Sequence, residues 1–432
     1  MGLKRISSAS GTLPTTTARG GGRAATTARR RYQDVQKCSN LKLTILCGVI
    51  TVLVFRGTIG ISYFSPLPEN GILKEEADRI VAEIRSGDYD NDYESRITSN
   101  GSYTFGPKII NWDISRKKWL QKNPRFLNQA NGRPRILLLT GSQSGPCNNP
   151  IGDHYLLKAI KNKVDYCRMH DIEIVYNMAN LEDELSGHWT KLTLIRKIML
   201  SHPEVEWIWW MDSDTFFTDM FFKLPISKYE GYNMVVHGYH NLLFDEHSWT
   251  ALSTGSFLLR NCQWSLDLLD SWAPMGAKGR GREEAGKILT QNLKGRPEFE
   301  ADDQSALIYL LISRKDELVD KVFLENSYYL HGFWVGLVDR YEEFMEKYKS
   351  GSGDERWPFV THFVGCKSCG GYGDYKLKRC VKSMERAFNF ADNQVLKLYG
   401  FSHRGLLSPN IKMIRNETSR LLGVRDHVEM ET

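Results

Sequence analysis

The chain has 432 residues, 41% of them apolar and 11% aromatic, enough for a large buried core in roughly two or three domains. Its net charge of +6 is unevenly spread: residues 1–42 carry nine Lys or Arg against one acid, so residues 43–432 sum to −2. The basic excess therefore belongs to the N-terminal tail, and charge gives no support to a nucleic-acid-binding face on the folded part.

In chain order, residues 7–31 are rich in Gly, Ser, Thr, Ala and Arg without apolar periodicity, which predicts a disordered cytosolic tail over 1–42. Residues 43–64 are an apolar stretch interrupted by Arg56. A bilayer needs ~20 such residues, so the stretch reads as a single-pass type II signal anchor, its basic flank on the cytosolic side. Residues 65–107, with Pro, Gly, Asp and Ser around a short amphipathic piece, read as a luminal stem. On that side Cys147, Cys167, Cys262, Cys366, Cys369 and Cys380 are expected in disulfides, with pairing left open. Asn100 and Asn416 begin glycosylation sequons.

From Arg135 strands and helices alternate, predicting an α/β fold with a mostly parallel, Rossmann-like sheet. Strands are expected at Ile136–Thr140, Ile172–Asn177, Glu206–Met211, Met234–His237 and Gly255–Leu259. Helices are expected at Asp153–His170, with Leu156, Ile160, Val164 and Cys167 on its apolar face, and at Trp189–Ser201. The run Val-Glu-Trp-Ile-Trp-Trp-Met ends in Asp212-Ser213-Asp214. Carboxylates at i and i+2 of a strand share a face, here at the mouth of a buried strand, where open α/β sheets bind ligands. Such a pair suits a hard divalent cation bridging to a nucleotide diphosphate.

Four other features accompany the pair. The Gly141-Ser142 turn ends the first strand, where backbone can approach a nucleotide closely. Asp302-Asp303-Gln304 opens an apolar helix; one Asp suffices as its N-cap, leaving the other for a site. A strand delivers His362, a third ligand suited to Mn²⁺, followed by Gly365 and by Lys367 to neutralise a leaving diphosphate. Trp189, Trp249, Trp334, Tyr328 and Tyr329 lie near polar turns and offer faces for sugar rings, although most of the tryptophans are expected in the core.

The segments Asn149–Lys158, Val164–Arg168, Trp210–Asp214, Thr254–Arg260, Glu300–Gln304, His362–Cys366 and Arg386–Gln394 resemble the plant galactosyl/xylosyltransferase family. Within it the xyloglucan 6-xylosyltransferases are most similar. The resemblance covers residues 108–418, taken as the catalytic domain before a tail at 419–432, and implies a GT-A fold in a Golgi membrane protein. It implies retaining transfer of xylose from UDP-α-D-xylose to O6 of glucose in a β-1,4-glucan, by front-face attack or through a nucleophile. By the same resemblance Asp212, Asp214 and His362 would hold Mn²⁺. Gly141, Ser142, Ser213, His331, Gly365 and Lys367 would line the nucleotide, and Asp302, Asp303 and Gln304 would be the catalytic patch beneath the sugar. Association with itself or with other xylosyltransferases is expected too. The chain departs from the family pattern at Thr190, Thr193, Thr215, Ser253 and Ser368. Two alternatives stay open: a galactomannan α-1,6-galactosyltransferase, since motif residues do not report donor or acceptor epimer, and a weakly active scaffold subunit, which Thr215 and Ser253 motivate.

Overall fold

The computed structural model describes residues 103–126, 132–179, 181–182, 184–185, 187–371 and 373–414. The expected tail (1–42), most of the stem, the C-terminal tail and both sequons lie outside them. The single-pass Golgi membrane assignment does not stand, because no helix among the described residues is long and apolar enough to cross a membrane. Residues 43–64, which prompted it, lie outside the described residues, and their Arg56 would cost about 2.5–3.5 kcal/mol at membrane depth.

The core is a six-stranded sheet ordered β2-β1-β3-β6-β5-β7. Its strands are β1 (Ile136–Gly141), β2 (Glu173–Asn177), β3 (Trp207–Met211), β5 (Met234–Gly238), β6 (Leu252–Arg260) and β7 (Val322–Glu325). Pairings are parallel except that β6 runs antiparallel to both β3 and β5. The connection from β5 to β6 carries only the π-helical turn Asn241–Asp245, which is too little for a right-handed crossover, so β6 returns antiparallel. It also extends beyond the expected strand at its N-terminal end.

Every residue of β3 is buried, and strand alternation splits its side chains between two cores. Ile208 and Trp210 join Trp189, Ile195, Phe257 and Trp272 on one side. Trp207, Trp209 and Met211 join Tyr166, Val235 and Phe359 on the other. The first core packs beneath helices α3 (Thr190–Ser201), α4 (Gln263–Trp272), α5 (Arg280–Asn292) and α6 (Asp303–Ser313), and α1 (Trp112–Lys122) joins their edge through Trp112. On the other side lie α2 (Pro150–His170) and α7 (Leu377–Lys397).

A second ladder beside this sheet pairs β4 (Thr215–Phe217) antiparallel with β8 (Val360–His362), with Thr215 opposite His362. Sequence positions 214 and 362 are thereby brought together. Two disulfides, Cys147–Cys369 and Cys366–Cys380, replace the expected three; Cys167 and Cys262 are free. The first joins the loop after β1 to the loop after β8 across 222 residues.

Candidate active site

The site is built where β3 ends. β1 and β3 run parallel with Leu139 opposite Trp210, so Gly141 and Asp212 leave the sheet at the same end. Asp212 and Asp214 then meet His362. Its Nε2 is 3.2 Å from Asp214 Oδ1 and 3.7 Å from Asp212 Oδ2. One donor atom from each residue fits within a 4.8 Å cluster. Two carboxylates and an imidazole make an O,O,N donor set that suits a divalent transition ion. His362 Nδ1, buried on the far side of the ring, has no partner among the described residues. Burial pushes the Asp214 carboxyl up, but His362 and Lys367 outweigh it and hold its pKa below the usual carboxylate range.

The turn is held from below by α2. Asn149 caps this helix, its side chain accepting from the Gly152 N–H at 2.9 Å. Asn162 bonds Phe217 in both directions, at 2.9 and 2.7 Å, and Lys163 donates to the Thr215 carbonyl at 2.7 Å. Burial drives the Lys163 pKa down to about 7. These contacts correct the expected apolar face: Tyr155, Ala159, Asn162, Lys163 and Tyr166 point inward, while Leu156, Ile160 and Val164 are only half-buried. Two polar residues are inside because the turn after Asp214 needs their hydrogen bonds.

Above the turn, β6 passes the site at Gly255. A Cβ there would lie 2.2 Å from His362 Cε1 and 3.3 Å from Asp212 Oδ2. From α3, Lys191 brings its ammonium to 3.2 Å from Asp212 Oδ1 and 2.9 Å from Asp303 Oδ2. Burial lowers the lysine's pKa, but the two carboxylates outweigh it and hold it above the ordinary value. For Asp303, likewise, Lys191 and His188 outweigh burial and keep the carboxyl ionised.

The Asp302–Gln304 segment divides its labour. Asp302 caps α6, accepting from the Ser305 N–H at 2.8 Å, and pairs with the fully buried Arg296 at 3.0 Å. Asp303 turns toward Lys191, and Gln304 donates to the Trp249 carbonyl at 3.1 Å. Asp302→Ala is therefore expected to destabilise the fold by about 3–4 kcal/mol, since it removes a cap and takes from the buried Arg296 its one carboxylate partner among the described residues, leaving only neutral acceptors. Thermal unfolding checks this; a midpoint equal to wild type would contradict the assignment.

The remaining expected residues have their own local partners. Ser142 donates its N–H to the Asn177 carbonyl at 3.0 Å, and its hydroxyl lies 2.5 Å from that of Tyr176. Ser213 sits between the two carboxylates, partly exposed. The His331 ring stands 4.9 Å from that of His362, edge to face. Burial, His362 and His237 hold the His331 pKa far below normal, so it is a neutral imidazole. Gly365 takes φ +81°, turning the chain toward the exposed Lys367. Trp189, Trp334 and Tyr328 are corrected to core residues, at 0%, 1% and 4% exposure, with no face open to a sugar.

Sequence reasoning missed Lys191, Lys163 and Gly255 as parts of the site. A signal existed for the first: Lys191 stands one turn before Leu194 and Ile195 on the buried face of α3, and a lysine in that row needs buried carboxylates.

Residues 132–373 match the model of the galactosyl transferase GMA12/MNN10 family. The chain belongs to this family. It is 64% identical over 426 residues to "Probable xyloglucan 6-xylosyltransferase 3" of Arabidopsis thaliana, covering 96% of this chain and 93% of that protein. To "Probable glycosyltransferase 2" of Oryza sativa subsp. japonica it is 59% identical, covering 91% and 88%. A solved glycosyltransferase involved in glycosylation of the major capsid of PBCV-1 aligns at 16% identity and a TM-score of 0.35, over 58% of this chain and 99% of that one.

The departures from the family pattern leave the site intact. Thr215 is fully buried, and its hydroxyl donates to the Asp212 carbonyl at 2.7 Å, bracing the turn between the carboxylates. Ser253 accepts from the Gly255 N–H at 3.4 Å. The Thr190 hydroxyl donates to the Gly187 carbonyl at 2.9 Å, and the Ser368 carbonyl accepts from Asn149 at 3.0 Å. Nothing in the structure explains Thr193, whose buried hydroxyl has no partner among the described residues.

Proposed function

We propose that this chain is a xyloglucan 6-xylosyltransferase of GT-A type, moving xylose from UDP-α-D-xylose to O6 of glucose in a β-1,4-glucan with retention. The observation that carries this reading is 64% identity over 96% of the chain to a protein so named. The donor set of Asp212, Asp214 and His362 supports it.

In this reading those three residues hold Mn²⁺, which supplies Lewis-acid stabilisation of the departing diphosphate. Gly141, Ser142, Ser213, His331, Gly365 and Lys367 line the nucleotide, with Lys367 adding a positive charge where negative charge develops. Asp303, kept ionised, lies under the sugar and favours its oxocarbenium-like state. Gln304 orients the same edge. The C1–phosphate bond breaks, O6 of the acceptor bonds C1 on the same face, and the O6 proton passes to the leaving phosphate.

The test is transfer by the purified full chain with Mn²⁺ and cello-oligosaccharide, comparing UDP-xylose with UDP-galactose. Xylose incorporation is expected, with release of one UDP per sugar. Preferential galactose incorporation would reassign the donor. Binding of UDP without transfer from either donor would remove the enzymatic reading altogether.

A further inference from the structure

The Lys191 ammonium joins parts of the site that come from three different elements. It touches Asp212 beyond β3, Asp303 at the start of α6, and the Thr254 carbonyl on β6 at 3.2 Å, with its own side chain only 2% exposed. The partners divide the oxygens of each carboxylate. Asp212 Oδ1 accepts from Trp210 Nε1 at 2.7 Å and faces Lys191, which leaves Oδ2 toward His362 and Asp214. Asp303 gives Oδ2 to Lys191 and leaves Oδ1 toward the half-exposed imidazole of His188, 3.8 Å away.

We propose that Lys191 is a positioning residue that fixes, through one ammonium, which oxygen of Asp212 meets the cation and which oxygen of Asp303 meets the transferred sugar. The inference rests on the glycosyl-transfer reading for the sugar and on the Asp212/Asp214/His362 donor set for the cation. Without the lysine, the buried Asp303 and the partly exposed Asp212 would face each other as like charges, and Asp303 would swing away. Cation and sugar would then lose their common reference. Lys191 itself transfers no proton; it holds both carboxylates in register.

The test uses the full chain as wild type, Lys191→Met, Lys191→Arg and the double variant Lys191→Met/Asp303→Asn. Four quantities are read: xylose transfer, the Mn²⁺ concentration for half-saturation, calorimetric UDP affinity with and without Mn²⁺, and the thermal midpoint. Lys191→Met is expected to lower kcat by about 10²-fold and raise the Mn²⁺ half-saturation about 10-fold, while metal-free UDP affinity stays within about 2-fold. In Lys191→Arg the charge returns with a different reach, so cation affinity recovers in part and kcat does not. The double variant removes the uncompensated Asp303 charge, so its midpoint returns toward wild type while its Mn²⁺ affinity stays weak. Should Lys191→Met fail to fold, the double variant decides by that same Mn²⁺ affinity. Wild-type Mn²⁺ half-saturation in any folded variant lacking Lys191 would overturn the proposal, as would unchanged kcat in Lys191→Met. If wild type binds UDP and Mn²⁺ but transfers no xylose, the functional reading fails alone, and the calorimetric Mn²⁺ dependence still judges Lys191.

Discussion

Asp214→Ala is expected to abolish cation-dependent sugar transfer, lowering kcat/KM by at least about 10³-fold while the protein remains folded. The carboxylate faces His362 at 3.2 Å and is held ionised by His362 and Lys367 against the effect of burial. Its loss takes one of three donors from the cluster and leaves Asp212 and His362 alone. The local backbone does not depend on the side chain: the Asp214 carbonyl accepts the Phe363 N–H at 3.1 Å, and Lys163 holds the Thr215 carbonyl. Folding should therefore survive, in contrast to Asp302→Ala, where stability is the casualty. The check is transfer across an Mn²⁺ titration beside a thermal melt. Activity within 10-fold of wild type at saturating Mn²⁺ would remove Asp214 from the cation site.

The second large effect is expected from a single methyl group. Gly255→Ala puts a Cβ 2.2 Å from His362 Cε1 and 2.4 Å from Nδ1, distances at which the ring has to move. The ring has little freedom, since His362 is 6% exposed and its imidazole packs edge to face against that of His331 at 4.9 Å. Displacing it disturbs Nε2 relative to both aspartates. Overpacking of this kind costs about 1–3 kcal/mol. Misplaced ligands weaken metal affinity about 10–100-fold. We expect a folded protein whose Mn²⁺ half-saturation rises by that factor and whose kcat falls with it. Calorimetric titration of Mn²⁺ in the presence of UDP reads the first, and an unchanged curve would show that the ring is not in the cation shell.

Much of this arrangement is legible in the amino-acid sequence, for physical reasons that also mark where legibility ends. Trp207–Met211 reads as a buried strand because five apolar residues have no polar alternate. Two aspartates directly after them have few structural excuses. The parallel course of the first three strands follows from alternating strands and helices. What escapes is anything defined by a side-chain contact between distant segments. Asn162 and Lys163 look like surface residues of an amphipathic helix, and only the β4 turn packed beneath them explains their burial. The antiparallel course of β6 depends on what the preceding connection lacks. Cys366 and Cys369 look like a local pair yet belong to different disulfides, because the loop between them turns its two ends toward different partners. The Asp302–Asp303 doublet is intermediate: a cap is predictable, while which acid caps is set by Arg296, a residue with no local signature.

The Cys147–Cys369 bond has a further consequence. It closes a covalent ring across 222 residues that contains every strand of the six-stranded sheet except β1, together with Asp212–Asp214, His362 and Lys367. In the chain-entropy picture a ring of that size disfavours the unfolded chain by about 5 kcal/mol. Its folded-state effect is more local, for it ties the loop after Gly141 and Ser142 to the loop that presents Lys367. Made in a reducing host, the protein would lose both that stabilisation and the staple between those loops. The redox history of a recombinant sample therefore matters as much as its purity.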